Sequence, residues 1–529
     1  MPGQGDVLKQ LGGFPYHAFI LALHPVLALF ATNDTKVAIG QALGTVLYVE
    51  LGLVLVLGLF WWRSRRLPKA GLLTFLVVVF VFFYQHFFDL LAPYGGDLGR
   101  HEYFLVLWLV AAVLAFRVAA ASRTALTTTT LALNVGALFF IATPTLQVVL
   151  HQFKVVPQRA AAIAAINRPV PDLKLTAGQQ PPDIYYLVVD RYARADVLEQ
   201  VYGYDNDGFL GDLAKRGFTV GRHSAANYQR TAPSLAASLN LVYLDPIAET
   251  LGRTSDDWVL LYRLLEDYKV WRALKGVGYR FIHFGSWWTP TAANRYADQN
   301  VNWKAIPTFD RLFWAATAPG RLVLQAELGW TDYRSHQCER LNYKFARLAE
   351  VATAPGPKFV FAHVLLPHPP FIFDAAGRCL SRAEAMARSR QQNYGEQVSL
   401  TNRLLLSAID RILAANEDAV IVVQADEGPW PASIAGDEFS IGMDTTPADW
   451  AALTAAEVKE KVAILNALRL PGAAAAKSRL YPEITPVNTF RIIFNSYFGT
   501  DLPLLPDESY LYLDNGHLYD FLRVTEMVR

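Results

Sequence analysis

DIYYLVVD, residues 183–190, is a short apolar run closed at both ends by an acid. Its aromatic and β-branched content fits a strand buried on both faces. VIVVQADEGPW, residues 420–430, repeats the pattern: β-branched residues stop abruptly at Asp426-Glu427-Gly428. YRFIHFG (279–285), KFVFAHV (358–364) and AVIVVQA (419–425) read as strands too. Between them lie helical patterns. DGFLGDLAKRG (207–217) ends in a glycine stop, and a longer helical segment runs near 392–415. Strands alternating with helices predict an α/β domain with a central, mainly parallel sheet flanked by helices. Ligands of such sheets bind beyond the carboxyl ends of the strands. Asp190 and Asp426 both stand at such ends, so two strands aim acids at one edge. A lone acid there reads as a solvated turn; two converging acids favour a site.

Outward from this domain the composition changes. The chain has 529 residues, is 53% hydrophobic and carries a net charge of only +1, which gives no electrostatic footprint for nucleic acid. The apolar excess lies in the first third. Five stretches, about 14–32, 37–62, 71–92, 103–120 and 125–150, are long enough, or nearly so, to cross a bilayer core of roughly 30 Å. Arg63, Arg65, Arg66 and Lys69 lie between the second and third, Arg117 and Arg123 between the fourth and fifth; the alternate loops hold Lys36 and Arg100. The positive-inside rule then puts the N-terminus in the cytoplasm and everything after residue 150 outside. The expected organisation is a transmembrane anchor over 1–154, an interfacial helix (QRAAAIAAINR) and Pro/Gly-rich linker over 155–182, and an extracytoplasmic domain over 183–529. Cys338 and Cys379 both fall outside, where a disulfide and two separate thiols are both open readings.

NYQRTAPSLAASLN (227–240) places Thr231 where a helix pattern begins. A hydroxyl there either caps the helix, with Pro233 in the first turn, or meets an anion bound by free backbone N–H groups. HVLLPHPPF (363–371) offers His363 and His368, of which His368, between prolines, is the harder to explain as core. Two carboxylates about 4 Å apart repel by roughly 4 kcal/mol at an effective dielectric near 20. Asp190, Asp426 and Glu427 therefore need compensation if they meet. One divalent cation supplies it: oxygen-only ligands favour Mn²⁺ or Mg²⁺, with Ca²⁺ possible, and a histidine ligand tilts the site toward Zn²⁺. Alternatively, Arg191 and Arg230 neutralise the acids and no metal binds.

In order along the chain, these motifs resemble the alkaline phosphatase/sulfatase superfamily. PDIYYLVVDRYARADVLEQVYGYDNDGFLGDLAKRGF is similar to its opening strand and helix, and TAPSLAAS to its nucleophile motif. FVFAHVLLPHPPF and VIVVQADEGPW are similar to its histidine loop and its Asp-His-Gly strand, and ITPVNTFRIIFN (484–495) to a late helix. Thr at the nucleophile position, behind a multi-span anchor, resembles the membrane-anchored phosphoethanolamine and phosphoglycerol transferases. The resemblance implies Asp190, Asp426 and Glu427 as metal ligands, Thr231 as nucleophile, and His368, Arg230 and Arg191 as substrate contacts. It implies a periplasmic domain on the bacterial inner membrane that moves a phospho-substituent from a membrane lipid donor to a cell-envelope glycan or lipid acceptor, or to water. Three departures stand against a simple transfer: Leu235 replaces the sulfatase arginine, Arg191 stands where a second acid is common, and Glu427 replaces a ligand histidine. They leave open a non-catalytic member that binds or scaffolds envelope glycan assembly. A sulfatase-type hydrolase is disfavoured because Thr231 excludes formylglycine.

Overall fold

The computed structural model describes residues 13–123, 126–166, 169, 172–175, 180–303, 306–325, 333–439, 449–472 and 480–528. It divides into two compact units, Met1–Pro157 with Ile306–Asp332, and Gln158–Ala305 with Tyr333–Arg529.

The first unit is helical. Among the described residues three helices, Ile39–Ser64, His101–Ala121 and Thr127–Ile166, are long and apolar enough to cross a membrane. On Ile39–Ser64 the exposed residues Leu43, Leu47, Leu51, Leu55 and Leu59 fall four apart on one helical face. Such a stripe is costly in water and matched to lipid. The expected set of five spans is corrected in two places. Tyr16–Ala31 has only 16 residues, about 24 Å of helix against a core of roughly 30 Å. The third stretch breaks after Phe82, and its halves, Leu67–Phe82 and Tyr84–Tyr94, bend by 58°, so it makes a fourth span only if the bent pair counts as one. Polar contacts follow the break: Tyr84 Oη lies 3.1 Å from His101 Nδ1, and Gln85 Oε1 accepts from Arg321 Nη2 at 2.9 Å.

Two further boundaries differ from the sequence expectation. Thr127–Ile166 is one 40-residue helix, so no separate interfacial helix starts at 155. Its last turns belong to the second unit, where Ala162 and Ile166 join the core and buried Arg159 grips Asp257 through Nε at 2.6 Å and Nη2 at 2.8 Å. The linker 169–182 lies partly outside the described residues. The helices Thr308–Ala315 and Ala318–Gln325 belong to the first unit although their sequence lies within 183–529. Phe309 and Phe313 are buried there, and Asp310 accepts from Thr45 and Tyr48 at 2.7 and 2.9 Å.

The second unit is the expected α/β domain. Its seven-stranded sheet has the order β2-β7-β6-β1-β5-β3-β4. The strands are β1 (Ile184–Val189), β2 (Thr219–Val220), β3 (Arg280–Phe284), β4 (Gln299–Val301), β5 (Lys358–Val364), β6 (Val420–Gln424) and β7 (Asn466–Arg469). The pairs β6–β1, β1–β5, β5–β3 and β3–β4 are parallel, and β7 runs antiparallel to β6. Every residue of β1, β5 and β6 is buried, as their apolar runs require. The register sets the level of each strand tip: Val188 lies opposite His363 on one side and Gln424 on the other. Asp190 and Asp426 therefore leave their strands at the same level, and His363 on β5 lies two positions before that level.

Cys338 and Cys379 form a disulfide that ties the helix Tyr333–Ala352 to the loop after β5, 41 residues apart. The protein should therefore show no alkylatable thiol under denaturing, non-reducing conditions. Replacing both cysteines by Ser should cost about 3 kcal/mol in chemical denaturation.

Candidate active site

Three buried side chains meet at the carboxyl edge of β6, β1 and β5. Asp190, His363 and Asp426 each offer a ligand atom, and these atoms all lie within 4.8 Å of one another. His363 Nε2 stands 3.2 Å from Asp190 Oδ2, and the Asp190 amide donates to Val364 O at 2.9 Å, locking the tip of β1 to β5. Neither Asp426 oxygen makes a hydrogen bond of good geometry among the described residues, and both are buried. Burial, and next the Asp190 charge, push the Asp426 carboxyl up to about 8. His363 is driven down to about 4, first by burial, so its imidazole is neutral and ligand-ready at neutral pH. Two buried oxygen donors and a neutral nitrogen fit a divalent cation. The two acids otherwise share one low-dielectric space, where one must keep its proton.

Glu427 stands outside this group. Its Oε1 accepts from Arg191 Nε at 2.9 Å and its Oε2 lies 3.2 Å from Lys461 Nζ, all three residues being buried. Lys461 also donates to Gly428 O at 2.9 Å. The sequence expectation of Glu427 as a metal ligand gives way here to direct charge pairing, while Asp190 and Asp426 stand with His363 in a group that could hold a metal ion. Gly428 is needed because a Cβ there would sit 2.4 Å from Glu460 O and 2.7 Å from Lys461 O. Arg191 has φ of 60°, a left-handed conformation that costs a non-glycine residue about 1–2 kcal/mol. The buried Tyr394 hydroxyl, which donates to Arg191 O at 2.6 Å, helps to hold it.

Thr231 is the first residue of the helix Thr231–Asn240; Arg230 is its N-cap, and no side chain caps it. The capping role is thus not what Thr231 does. Its half-buried hydroxyl lies close enough to Asp426 to help lower that carboxyl's pKa. Arg230 is held by rings rather than by acids, its Cζ lying 4.7 Å from the Trp430 ring centroid, 5.7 Å from Trp258 and 5.9 Å from Trp450. Among the described residues its buried Nε and Nη2 have no hydrogen-bond partner. Arg191 and Lys461 approach the same Trp430 ring at 5.0 and 5.5 Å. His368 is not part of the triad: its Nδ1 contacts the Pro369 carbonyl, and its ring lies 6.2 Å from Trp287.

The sequence reading set His363 behind His368. A polar residue one position from the end of an otherwise apolar strand was the signal, since β1 delivers Asp190 at the same edge. Lys461 carried no motif at all; only the fold brings it to Glu427.

No family model matches the chain, and no curated protein matches it. Solved structures do. The integral membrane lipooligosaccharide phosphoethanolamine transferase A (EptA) of Neisseria meningitidis is similar over 92% of this chain and 96% of that chain, at 12% identity and a TM-score of 0.40. The C-terminal periplasmic domain of EptC from Escherichia coli, in complex with Zn, is similar over 63% of this chain and 86% of that chain, at 14% identity and a TM-score of 0.41. BT1596, a 2-O GAG sulfatase, is similar over 61% of this chain and 72% of that chain, at 12% identity and a TM-score of 0.36.

Two consequences are measurable. An acid raised to about 8 in the folded state stabilises the fold at low pH and loses that contribution as pH rises. Metal-free protein should therefore lose stability between about pH 4 and pH 8, by at most about 1.4 kcal/mol per pH unit, and Asp426→Asn should flatten the slope. Glu427→Gln should instead cost about 3–5 kcal/mol, by leaving buried Arg191 and Lys461 without their anion. It should leave the stoichiometry of metal binding unchanged in calorimetric titration.

Proposed function

We propose that the chain is a membrane-anchored group transferase or hydrolase that moves a phospho-substituent from a membrane lipid donor to a cell-envelope glycan or lipid acceptor, or to water. Thr231 is its nucleophile, and the second unit faces the periplasm of the bacterial inner membrane. One observation carries the reading: the Thr231 hydroxyl lies at a helix N-terminus beside the Asp190–His363–Asp426 group, with Arg230 next to it in sequence. The order of motifs along the chain and the long apolar helices support it.

The reaction balances in two steps. Thr231 Oγ forms a bond to phosphorus as the bond to the donor oxygen breaks, and the donor leaves as an alcohol carrying the proton that Thr231 gave up. An acceptor hydroxyl then takes the phospho-substituent and returns a proton to Thr231. Arg230 pairs with the phosphoryl oxygens, and the helix N-terminus favours the same charge. His368 contacts the departing or incoming oxygen. Arg191 acts indirectly, holding Glu427 beside Asp426. Asp190, His363 and Asp426 would hold a divalent cation, which when bound would supply Lewis-acid polarisation of the phosphoryl group. With His363 in the set, the mixed nitrogen and oxygen donors favour Zn²⁺ or Mn²⁺ over Mg²⁺ or Ca²⁺.

Thr231→Ala should lower phosphodiester turnover by about three orders of magnitude or more and change stability by less than about 1 kcal/mol, because Thr231 is not the cap. Incubation of the full chain with bacterial polar-lipid vesicles should give a mass adduct on Thr231 that the Ala variant lacks. An Ala variant that keeps more than about a tenth of wild-type turnover removes Thr231 from the mechanism.

A further inference from the structure

The loop after β3, read from the sequence GSWWTPTAAN (285–294), places a hydroxyl against the face of His363 that looks away from Asp190. Thr291 Oγ1 lies 2.8 Å from His363 Nδ1 and 2.8 Å from Ser286 Oγ. Ser286 Oγ in turn accepts from the Trp288 amide at 3.0 Å and faces the Trp288 carbonyl at 3.4 Å. Thr291, Ser286 and His363 are all at most 2% exposed. The loop holds its shape independently of the site. Ser286 N donates to Thr291 O at 3.0 Å, and Asn302 Nδ2 donates to Ser286 O and Ala292 O at 2.8 and 2.7 Å. Gly285 admits this closure, since a Cβ there would meet Ala292 O at 1.9 Å.

A hydroxyl both donates and accepts, so the chain from His363 to Trp288 is satisfied in either direction. In one direction the Trp288 amide donates to Ser286, Ser286 to Thr291, and Thr291 to Nδ1; His363 then carries its proton on Nε2 and donates to Asp190. In the other, Nδ1–H donates to Thr291, Thr291 to Ser286, and Ser286 to the Trp288 carbonyl. The Nε2 lone pair then faces Asp190 and Asp426.

We propose that Thr291 is the positioning residue of this centre, and that the Thr291–Ser286 hydroxyl pair lets His363 exchange tautomers without losing a hydrogen bond. His363 is a donor to Asp190 when no cation is held and a ligand when one is. The proposal rests on the reading of Asp190, His363 and Asp426 as a metal site and adds to it the device that orients the nitrogen ligand. Partners of this kind change metal affinity by about 10–100-fold.

The test is calorimetric titration of the full chain in detergent with Zn²⁺ and with Mn²⁺, on wild type, Thr291→Val, Thr291→Ser, Ser286→Ala and Asp426→Asn. Thr291→Val keeps the shape and removes the acceptor; it should weaken binding about 10–100-fold. Thr291→Ser should restore wild-type affinity, and Ser286→Ala should fall between the two. Thr291→Val binding within about threefold of wild type, while Asp426→Asn abolishes binding, overturns this proposal and leaves the metal reading standing. Wild type that binds neither ion, or binds them as well without Asp426, overturns both. If Thr291→Val does not fold, Ser286→Ala decides: unchanged affinity there overturns the exchange.

Discussion

The constraint on which the site depends is the mutual repulsion of two buried carboxylates. Asp190 and Asp426 project from adjacent parallel strands in register, so the sheet forces them together at one edge. Burial removes the water that would otherwise screen them. The structure answers with a neutral imidazole beside the two acids and with no permanently charged base in the triad itself. A protein stabilised only for its own sake would place an arginine there. The basic groups lie instead one step away, and their placement has its own logic.

Arg191 and Lys461 are taken up by Glu427, so the acid that follows Asp426 serves as an internal counter-ion. Trp430, three residues further along the same loop, presents its ring to Arg191, Arg230 and Lys461. An aromatic face stabilises a guanidinium without occupying its donors. In the proposed reaction Arg230 is thus available to an anion beside Thr231, while Glu427 pairs with Arg191 and Lys461. The sequence Asp-Glu-Gly-Pro-Trp carries out three tasks in five residues: metal-competent acid, counter-ion and cation platform, with Gly428 permitting the close backbone approach.

Much of this was legible in the chain. The apolar runs of β1, β5 and β6 are short and uniformly buried, so length and composition placed them, and the acids at the tips of β1 and β6 marked the edge. The helix containing Thr231 was also legible, though not that Arg230 would be its cap. What stayed hidden depends on distance in sequence. Lys461 precedes β7, an antiparallel strand with no strong pattern, and no local signal ties it to Glu427. His363 lies in a run of core residues, and its register opposite Val188 sets its backbone two positions before the acids, so only the folded side chains show that it reaches them. Thr291 sits in an aromatic-rich loop far from β5 in sequence, and only the fold brings its hydroxyl to His363. The membrane segments were legible as apolar runs but not as spans. Just after the break at Phe82, Tyr84 and Gln85 meet His101 and Arg321, the latter far along the chain, and the helix through Pro144 and Pro157 continues where a boundary was expected.

The central claim is that Asp190, His363 and Asp426, and not Glu427, hold the cation beside Thr231. Anomalous diffraction recorded at the zinc and manganese edges, from crystals of the full chain grown with each ion, tests it directly. The account predicts one peak within about 2.0–2.3 Å of Asp190, His363 and Asp426, with Glu427 still paired to Arg191 and Lys461. A peak bound by Glu427 without His363, or no peak while Asp190 and Asp426 close on an arginine, would contradict it.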